Sequence, residues 1–586
     1  MQTHRADILI LGGGGAGLRA AIAAASAPGA PSVHMLSKVL PMRSHTVAAE
    51  GGSAGVVSDD DTLDAHFRDT VSGGDWLCDQ SVVAHFVAHA TDELIQLDRW
   101  GCPWSREPDG RAAVRRFGGM GTARTWFAAD KTGFHILHTL FQTSLKLHNL
   151  HRHDEFYASH LLVADGRCQG VVAIELRTGE VHTILAGATV LATGGAGRLY
   201  RFNTNGGIVT GDGMALAWRA GVALRDMEFV QYHPTGLPGS GVLITEGCRG
   251  EGGVLRNREG HRYLADYGLG PETPLNAPQN RTMELGPRDK LSQAFWHEQR
   301  KGNTIPTPGG EAVHLDLRHL GRARLHERLP LICELAKTYV GVDPADAPIP
   351  VRPAMHYTMG GVRTDVHGAT SLPGLFAAGE CASVGLHGAN RLGSNSLSEL
   401  LVYGRGAGES AAAFATEHPA DPNAVLDQAT QRAHAITAQR GRKGSHRVAE
   451  VHEALARTMD ESFGIYREGP AMQQGVTTLR ELREAASDLH LQDPSLPFNQ
   501  ELVRALELRC ELDVALAIAT AAAARDESRG AHQRLDGFTQ RDDASFLQHS
   551  LIQRSPGGDP TLSYEPVNIT TYPPAARVYG KPEATS

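Results

Sequence analysis

Hydrophobic residues near the start of the chain form blocks separated by glycine turns. Residues 6–25, ADILILGGGGAGLRAAIAAA, join an apolar run, a glycine turn and a stretch of small residues, which predicts a buried strand, a tight turn and a helix. Residues 32–38, SVHMLSK, predict a second strand. Further apolar runs followed by glycine occur at 188–200 and 374–397. We therefore expect one sheet that opens with a βαβ unit and is assembled from distant segments.

The hydrophobic pattern changes twice further along the chain. Residues 235–354 are rich in proline, glycine and charge and lack a strand–helix rhythm, which predicts an inserted domain with its own small core. Residues 421–537 carry apolar side chains three and four positions apart, as amphipathic helices do. The predicted units are a cofactor-binding domain in two parts (1–234 and 355–420), a capping domain (235–354), a helical domain (421–537) and an extended C-terminal segment (538–586).

Composition is typical of a folded protein without a nucleic-acid partner. Apolar residues make up 41% and charged residues 21% of the sequence, as in soluble globular proteins. The 586 residues exceed the capacity of one core and predict roughly three to four structural units. The formal net charge is −9 and no sustained lysine and arginine block occurs, so no global field would attract a polyanion.

Cysteine usage and apolar run lengths bear on cellular location. The seven cysteines are scattered without a CxxC pair for zinc or an iron–sulfur cluster, and we expect no metal site. Their odd number favours reduced thiols and a cytoplasmic compartment. The small apolar run at 514–524 is far shorter than the roughly 20 residues of a membrane span and predicts a packed helix. The N-terminus leads directly into the first strand, so we expect neither a signal peptide nor a transmembrane segment.

Three glycines between the first strand and helix form a GxGxxG pattern: Gly12, Gly14 and Gly17. The first permits a tight turn, the second a close approach of a pyrophosphate, and the third close packing of helix against strand. The pattern in this position indicates dinucleotide binding. An acidic ribose ligand is expected at the end of the second strand, but residues 36–38 there are Leu-Ser-Lys.

Two carboxylates elsewhere are candidates for binding cofactor hydroxyl groups. Asp212 starts a helical pattern, and Glu380 follows an apolar strand pattern. Each also has a simpler interpretation, as a helix N-cap or a turn residue. Convergence of the three strand segments would make both carboxylates available to one cofactor.

The sequence resembles the flavoprotein subunits of fumarate reductases and succinate dehydrogenases, with the bacterial quinol:fumarate reductase subunit the most similar type. The resemblance covers nearly the whole chain and rests on several separated motifs. These are RSHTVAAEGG at 43–52, HPTG at 233–236, TEGCRGEGG at 245–253, HYTMGG at 356–361, GANRLGSNSL at 388–397, ESRGAHQR at 527–534 and ITTYPPAARVYG at 569–580.

This resemblance implies an α+β (α/β) fold with a discontinuous, Rossmann-like FAD-binding domain, an inserted capping domain and a C-terminal helical domain. His45 is similar to the family's histidine that bonds covalently to the 8α-methyl group of FAD. The implied cofactor-binding residues are Gly12, Gly13, Gly14, Gly15, Ala16, Gly17, Leu36, Ser37, Lys38, Ser44, His45, Thr46, Ala48, Ala49, Glu50, Gly51, Gly52, Phe156, Tyr157, Ala158, Thr193, Gly194, Asp212, His356, Tyr357, Glu380, Arg391, Leu392, Gly393, Ser394, Asn395, Ser396 and Leu397.

The resemblance also implies an active site for a four-carbon dicarboxylate. Arg391 and His356 would hold one carboxylate, and Thr245 and His233 the other. Arg288 would donate a proton, with Glu246 and Arg249 as its relay. The implied catalytic residues are His233, Arg249, Arg288 and Glu246, and the implied substrate-binding residues are Thr245, His356, Arg391, Phe117 and Gly52. Taken singly, several have ordinary alternatives: Arg288 with Asp289, or Arg249 with Glu251, would form surface ion pairs.

The implied reaction is the reduction of fumarate to succinate by hydride transfer from covalent FAD. Electrons would come from quinol through an iron–sulfur subunit, because this chain has no cluster-binding cysteine array. Membrane anchor subunits would connect that partner to the quinone pool, with this chain at the cytoplasmic face of the bacterial inner membrane. The C-terminal helical part and residues 527–534 are predicted to be docking surface for that partner, and a solvated charged loop is the alternative for 527–534.

Three alternatives to a fumarate reductase stay open. Succinate dehydrogenase shares the same motifs and catalyses the reverse reaction. A flavin oxidase of the L-aspartate oxidase type is less favoured, since those relatives hold FAD without a covalent bond and this chain has the RSHT histidine. A catalytically silent flavin-binding subunit is disfavoured because binding alone would not require the proton relay.

Overall fold

The computed structural model describes residues 2–579. Its strands are β1 (Gln2–Leu11), β2 (Val33–Ser37), β3 (Ser53–Ala54), β4 (Val114–Arg115), β5 (Thr125–Trp126), β6 (Leu150–Asp154), β7 (Phe156–Ala164), β8 (Arg167–Glu175), β9 (Val181–Leu191), β10 (Leu224–Arg225), β11 (Val230–Gly236), β12 (Val254–Arg256), β13 (Ile305–Thr307), β14 (Gly310–Asp316), β15 (Ile349–Thr358), β16 (Gly361–Arg363), β17 (Leu375–Ala377), β18 (Ala382–Ser383), β19 (His446–Arg447), β20 (Leu489–His490), β21 (Gln548–Arg554) and β22 (Pro560–Pro566). Its α-helices are α1 (Gly15–Ala25), α2 (Leu63–Gly73), α3 (Gln80–Arg99), α4 (Thr132–Ser144), α5 (Asp212–Arg219), α6 (Gly247–Gly250), α7 (Arg288–Lys301), α8 (Arg322–Arg328), α9 (Pro330–Val340), α10 (Asn395–Glu417), α11 (Pro422–Thr437), α12 (Val448–Ser462), α13 (Gly469–Ala485), α14 (Gln500–Ala524) and α15 (Asp543–Phe546).

The largest sheet has the strand order β6-β2-β1-β9-β8-β7, with β17 also paired to β9. β1 runs parallel to β2 and β9, and β17 runs parallel to β9. Three segments far apart in the sequence therefore share one sheet, as the sequence predicts. The carboxyl ends of these parallel strands meet at one edge, where ligands bind in sheets of this kind.

Helix α10 packs against α1 at a distance that only glycine permits. A Cβ atom at Gly408 would lie 2.3 Å from the carbonyl oxygen of Ala20, and one at Gly404 would lie 2.8 Å from that of Ala16. Any side chain would push the two helices apart. This close contact fixes the N-terminus of α10 beside the glycine turn that precedes α1.

Residues between 235 and 354 build a second core. Buried apolar side chains from Leu237 to Val351 form one cluster, and strands β11, β15, β14 and β12 form a sheet with β13 paired to β14. A separate core is what a capping domain requires. We propose 235–354 as that cap, and the domain boundaries themselves stay predictions.

The region predicted to be helical contains α11, α12, α13 and α14. The alanine-rich run at 514–524 lies inside α14, where most of its side chains are buried, so the prediction of a packed helix is confirmed. Within residues 2–579, no helix combines the length and apolar character needed to cross a membrane.

The expectation that residues 527–534 form a docking surface or a solvated loop is wrong. Arg525, Glu527 and Arg529 are fully buried. Glu527 lies 2.8 Å from both Arg525 and Arg529, and Arg525 also lies 2.6 Å from Glu228. A run of charged residues does not reveal whether ion-pair partners elsewhere in the chain will draw it inward.

Candidate active site

A deep cleft opens at the carboxyl edge of the large sheet. Its lining combines the glycine turn after β1, the end of β2, the segment around His45, the start of β7 and the loop before α10. Including its open mouth, it holds about 1370 Å³ of space outside the protein atoms. Its lining runs from the glycine turn to Arg391, which suits an elongated ligand such as a dinucleotide.

The glycine turn gives the cleft its phosphate-binding end. Gly12 has φ +118°, and a Cβ there would lie 2.1 Å from the carbonyl oxygen of Ala192. A Cβ at Gly17 would lie 1.9 Å from the carbonyl oxygen of Gly12. Helix α1 has no side-chain cap at its N-terminus, and one of its first amides, Gly15 N–H, donates to Thr46 Oγ1 at 3.1 Å. The other first amides suit a pyrophosphate.

His45 lines the same cleft in a short 3₁₀ turn, His45–Ala48. Its Nδ1 accepts the Gly206 backbone N–H at 3.3 Å, which leaves the proton of the neutral ring on Nε2. Burial lowers the pKa of His45 to about 4, so the ring is neutral at physiological pH. A neutral imidazole is the nucleophilic form of histidine.

Lys38, which follows β2, forms ion pairs with two carboxylates. Its Nζ lies 2.7 Å from Asp212 Oδ2 and 2.7 Å from Glu507 Oε1. Burial alone would lower the pKa of Lys38, but the two carboxylates outweigh it and raise the pKa. Asp212 begins α5, as the sequence predicts, and both Lys38 and Asp212 line the cleft.

Glu380 supplies a carboxyl group to the cleft from the turn after β17. Its Oε1 accepts the Thr358 N–H at 2.9 Å. Burial raises the pKa of Glu380 to about 7. Near neutral pH such a carboxyl group is partly protonated, so it can donate a hydrogen bond to a ligand hydroxyl group or accept one from it.

The lining includes most of the residues predicted to bind the cofactor. Those outside it are Gly17, Glu50, Gly51, Gly52, Tyr157, Leu392, Gly393, Ser394 and Asn395. Tyr157 is turned away, with its hydroxyl 3.9 Å from Cys510 Sγ, because successive side chains of a strand face opposite sides. Asn395 instead donates to Thr70 Oγ1 at 3.0 Å.

A second set of polar side chains adjoins the cleft on the side of the cap. Glu246 lies between two arginines, with Arg288 Nη2 at 2.8 Å from Oε2 and Arg249 Nη2 at 3.4 Å from Oε1. Gln231 Oε1 accepts from Arg288 at 3.1 Å and from Arg391 at 3.3 Å. We call Arg249, Glu246, Arg288 and Arg391 the charged chain. Arg391 also lines the cofactor cleft, so the two regions are continuous.

The charged chain is buried and carries a net positive charge. Burial alone would raise the pKa of Glu246, but the Arg288 and Arg249 charges outweigh it and lower the pKa. The Gly118 N–H donates to Glu246 at 2.7 Å and adds to this effect. Burial and repulsion from Arg288 lower the pKa of Arg391 to about 10, which still leaves a cation at neutral pH. Three guanidinium groups and one carboxylate therefore leave two positive charges.

Two histidines complete this region as neutral groups. The His233 and His356 ring centroids are 5.0 Å apart. His233 Nδ1 accepts the Thr235 N–H at 3.3 Å, and His356 Nδ1 lies 2.8 Å from Thr204 Oγ1. Burial, followed by the charge of Arg288, lowers the pKa of both histidines well below the usual value. Both rings are therefore hydrogen-bonding groups without charge at neutral pH.

Phe117 and two glycines border the charged chain. Phe117 is 2% exposed, and a Cβ at Gly51 would lie 2.7 Å from its Cζ and 3.4 Å from Thr245 Oγ1. A Cβ at Gly393 would lie 3.1 Å from Glu246 Oε2. These glycines keep the wall close to the charged groups. Gly52 has φ +143°, and a Cβ there would meet Thr125 Cγ2 at 2.3 Å, so its role is in the turn.

The structure excludes the ordinary ion pairs that the sequence leaves open. Asp289 lies 2.8 Å from Arg577 instead of pairing with Arg288. Glu251 lies 3.1 Å from Arg324 and 2.9 Å from Arg328 instead of pairing with Arg249. Arg288 and Arg249 therefore both pair with Glu246.

Sequence reasoning missed several partners of these groups. Gln231 stands two residues before His233 in β11, and the two-residue period of a strand could have placed both on one face. Glu507 lies in α14, far along the sequence from Lys38, and no local signal connects them. Gly206, the partner of His45, lies in an irregular segment far along the sequence, and no local signal connects these two residues either.

The site is that of a dinucleotide-binding enzyme. The glycine turn before an uncapped helix would hold the phosphates, polar groups line the rest of the cleft, and the buried charged pocket beside it would hold a substrate. Comparison with known proteins makes the assignment specific. The FAD binding domain family matches residues 7–397, and the fumarate reductase flavoprotein C-terminal family matches residues 452–579.

Similar proteins agree along the whole chain. The fumarate reductase flavoprotein subunit of Proteus vulgaris is 60% identical over 588 residues, covering 100% of this chain and 98% of its own length. A structure of an E. coli quinol fumarate reductase flavoprotein variant matches with a TM-score of 0.97 at 59% identity, covering 99% of this chain and 100% of that one. The succinate dehydrogenase flavoprotein subunit of Rickettsia bellii is 41% identical, covering 98% of each chain.

The chain belongs to the fumarate reductase and succinate dehydrogenase flavoprotein family, and it is an FAD-dependent oxidoreductase of α+β fold. The predicted family, fold class and flavoprotein character are confirmed. The roles of individual site residues stay predictions.

Replacing Lys38 by methionine is expected to weaken the cofactor region in a pH-dependent way. The substitution leaves Asp212 without a cation and leaves Glu507 with Arg504 alone, and breaking a buried ion pair costs about 3–5 kcal/mol. Because the freed carboxylates take up protons as pH falls, the loss in melting temperature should be largest at pH 8 and smaller at pH 5. Thermal unfolding monitored by FAD fluorescence measures it.

Two further variants complete this test. Lys146→Met removes an exposed lysine and should behave as the wild type. The double variant Lys38→Met/Glu507→Gln should recover part of the loss. An equal loss at both pH values would contradict the ion-pair explanation.

Proposed function

We propose that the chain is the flavoprotein subunit of a membrane-associated quinol:fumarate reductase and reduces fumarate to succinate. The observation that supports this most is the charge of the pocket: the charged chain carries two positive charges, and both histidines beside it are neutral. A dicarboxylate with two negative charges would neutralise this region. An unpaired buried charge of either sign would be costly.

The donor groups suggest how the two carboxylates would be held. Arg391 and His356 lie together where the cofactor cleft meets the charged chain, and both line the cleft. Thr245 and His233 are each 1% exposed. We assign the first pair to one carboxylate and the second to the other. Holding both ends of the substrate fixes the alkene carbons for reaction.

Reduction of the alkene requires a hydride and a proton. FAD, when bound in the cleft, supplies the hydride donor. Arg288 is assigned as proton donor, although the reference pKa of arginine exceeds about 12. Developing carbanion charge would make the acceptor basic, and nearby cations would stabilise that charge. Glu246 contacts both Arg288 and Arg249. Ionised at rest, it would accept a proton from Arg249 and pass it to Arg288 after the transfer.

Similarity favours the fumarate reductase assignment over succinate dehydrogenase. The chain is 60% identical to the Proteus vulgaris fumarate reductase subunit but 41% identical to the Rickettsia bellii succinate dehydrogenase subunit. The site residues themselves serve both directions of a reversible reaction.

Partner subunits follow from the same assignment. Electrons would come from quinol through an iron–sulfur subunit, with membrane anchor subunits beyond it. The similar structures include a quinol-fumarate reductase with menaquinol molecules, matched at TM-score 0.95 and 59% identity. The chain would then be peripheral, at the cytoplasmic face of the inner membrane.

We further propose that His45 holds FAD covalently. The residues present fit this role, because the ring lines the cleft, is neutral and has its Nδ1 occupied by Gly206. Among the described residues, Nε2 of His45 has no hydrogen-bond partner, so this nitrogen faces no competing contact; its N–H proton would be released as its bond to the 8α carbon forms.

Anaerobic reoxidation of the reduced flavin tests the reaction. Fumarate added to the dithionite-reduced protein should restore oxidised-flavin absorbance rapidly. Arg288→Gln should slow this step by about 10²–10⁴-fold, the contribution of a positioned acid, while FAD stays bound. Arg300→Gln, an exposed position on the same helix, is the matched control and should react as the wild type.

The same measurement separates the alternatives. Wild-type protein that holds FAD but is not reoxidised by fumarate would contradict the assignment. Reduction of the oxidised flavin by L-aspartate would support the oxidase alternative instead.

Acid precipitation tests the covalent bond. Flavin should stay with the precipitated wild-type polypeptide, and in His45→Ser it should appear in the supernatant. His151→Ser, an exposed histidine, should retain the flavin like the wild type. Release of the flavin from wild-type protein would refute the bond.

A further inference from the structure

A second cleft lies behind strand β7, away from the cofactor. Phe156 and Ala158 face the cofactor cleft, whereas Tyr157 and Ser159 line this other space of about 300 Å³. Two further clefts share Arg219 with it as a lining residue. We call the three together the arginine cleft.

Five arginines from five different elements line the arginine cleft. They are Arg219 at the end of α5, Arg432 on α11, Arg483 on α13, Arg509 on α14 and Arg554 on β21. The chain as a whole has a formal net charge of −9, so this concentration of cations is local.

Acidic partners account for two of these five arginines. Arg219 Nε lies 2.7 Å from Asp513, and Arg483 contacts Asp559. Arg509 donates only to the Ala486 carbonyl oxygen, at 3.3 Å. Within residues 2–579, Arg432, Arg509 and Arg554 have no carboxylate partner. Three positive charges in the cleft are therefore uncompensated.

The positive charges in the cleft shift the pKa values of neighbouring groups. Burial, followed by the charges of Arg432, Arg219 and Arg509, lowers the pKa of His160 to about 4. Burial also lowers the pKa of Arg509, and repulsion from Arg219 adds to that shift. Arg219 and Arg509 are thus close enough to repel each other.

Two buried polar side chains line the same space. Tyr157 and Ser159 are 1% and 4% exposed. The Tyr157 hydroxyl has only the weak partner Cys510 Sγ, at 3.9 Å, and the Ser159 hydroxyl donates to the Val172 carbonyl oxygen at 3.0 Å. Both hydroxyl oxygens can still accept, and the Tyr157 hydroxyl can donate to an anion.

We propose that the arginine cleft binds a multivalent phosphate, either free or as the phosphate group of a nucleotide. Guanidinium groups are the favoured ligands of phosphate oxygens in proteins. The five arginines of this cleft lie on five different elements, so their guanidinium groups reach the cleft from several directions. A tetrahedral phosphate accepts hydrogen bonds from several directions, whereas a planar carboxylate is matched by one in-plane fork. This proposal does not rest on the proposed reaction.

The arginine cleft is coupled to the cofactor cleft through shared elements. Helix α14 carries Arg509 and also Glu507, which pairs with Lys38 in the cofactor cleft. Tyr157 lies between two residues that line the cofactor cleft. Phosphate bound behind β7 should therefore stabilise the FAD-loaded protein against heat.

Calorimetric titration of the FAD-loaded full chain tests the proposal. Inorganic pyrophosphate, adenosine diphosphate and citrate are titrated separately at constant ionic strength. Pyrophosphate should bind saturably at one site per chain and raise the melting temperature, and it should bind more tightly than citrate. Tighter binding of adenosine diphosphate than of pyrophosphate would identify a nucleotide as the source of the phosphate, and the reverse order would identify free phosphate.

Paired charge variants locate the site. Arg509→Gln/Arg554→Gln should weaken pyrophosphate binding at least tenfold, and Arg509→Lys/Arg554→Lys should retain part of the affinity. Arg447→Gln/Arg457→Gln removes two exposed arginines elsewhere and should bind pyrophosphate as the wild type does. No saturable binding to wild-type protein, an unchanged affinity in the Arg509 and Arg554 glutamine variant, or tighter binding of citrate than of pyrophosphate would overturn the proposal.

Discussion

The compensation of charge in a buried pocket is the constraint on which the site depends. Glu246 is 1% exposed, and it is kept ionised by Arg288 and Arg249. Burial of this carboxylate is tolerable because Arg288 lies 2.8 Å from it and the Gly118 N–H also donates to it. Within the charged chain itself, three guanidinium groups face one carboxylate, an excess of two positive charges. The pocket is therefore prepared for a dianion, and the neutral histidines add hydrogen bonds without altering that balance.

The scaffold explains how these groups meet. His233 and His356 lie on paired strands β11 and β15, while Arg288 begins α7. Arg391 comes from the loop before α10, which is fixed by the glycine contacts of α10 with α1. Residues from the cap and from the cofactor domain thus share one pocket. Any displacement of the cap would separate Glu246 and Arg288 from Arg391, which couples the charge balance to the packing of the two cores.

Local sequence patterns predicted the parts of this arrangement that depend on nearest neighbours. The glycine turn and the small residues of α1 lie in one continuous segment, so the amino-acid sequence of that segment predicts their geometry. The helix at 514–524 was likewise predictable from adjacent residues. The positions of Arg288 and Glu246 came from family resemblance, because nothing in their own segments distinguishes a buried pair from surface ions.

Contacts between distant segments could not be predicted in this way. The Lys38–Glu507 pair joins the second strand to α14, and the buried ions around Glu527 depend on Glu228 from another region. Tyr157 was predicted to contact the cofactor. Because side chains alternate along β7, the Tyr157 side chain lines the arginine cleft instead. Burial and pairing of charges emerge only when the whole fold is assembled.

The most direct test of the account is the steady-state kinetics of fumarate reduction by Glu246→Gln. Loss of the relay should reduce kcat by at least about 100-fold. KM for fumarate should not rise, because removing a negative charge leaves the pocket more positive toward the dianion. A variant that keeps its FAD and retains kcat within a few fold of the wild type would contradict the relay. A large rise in KM with unchanged kcat would contradict the charge balance.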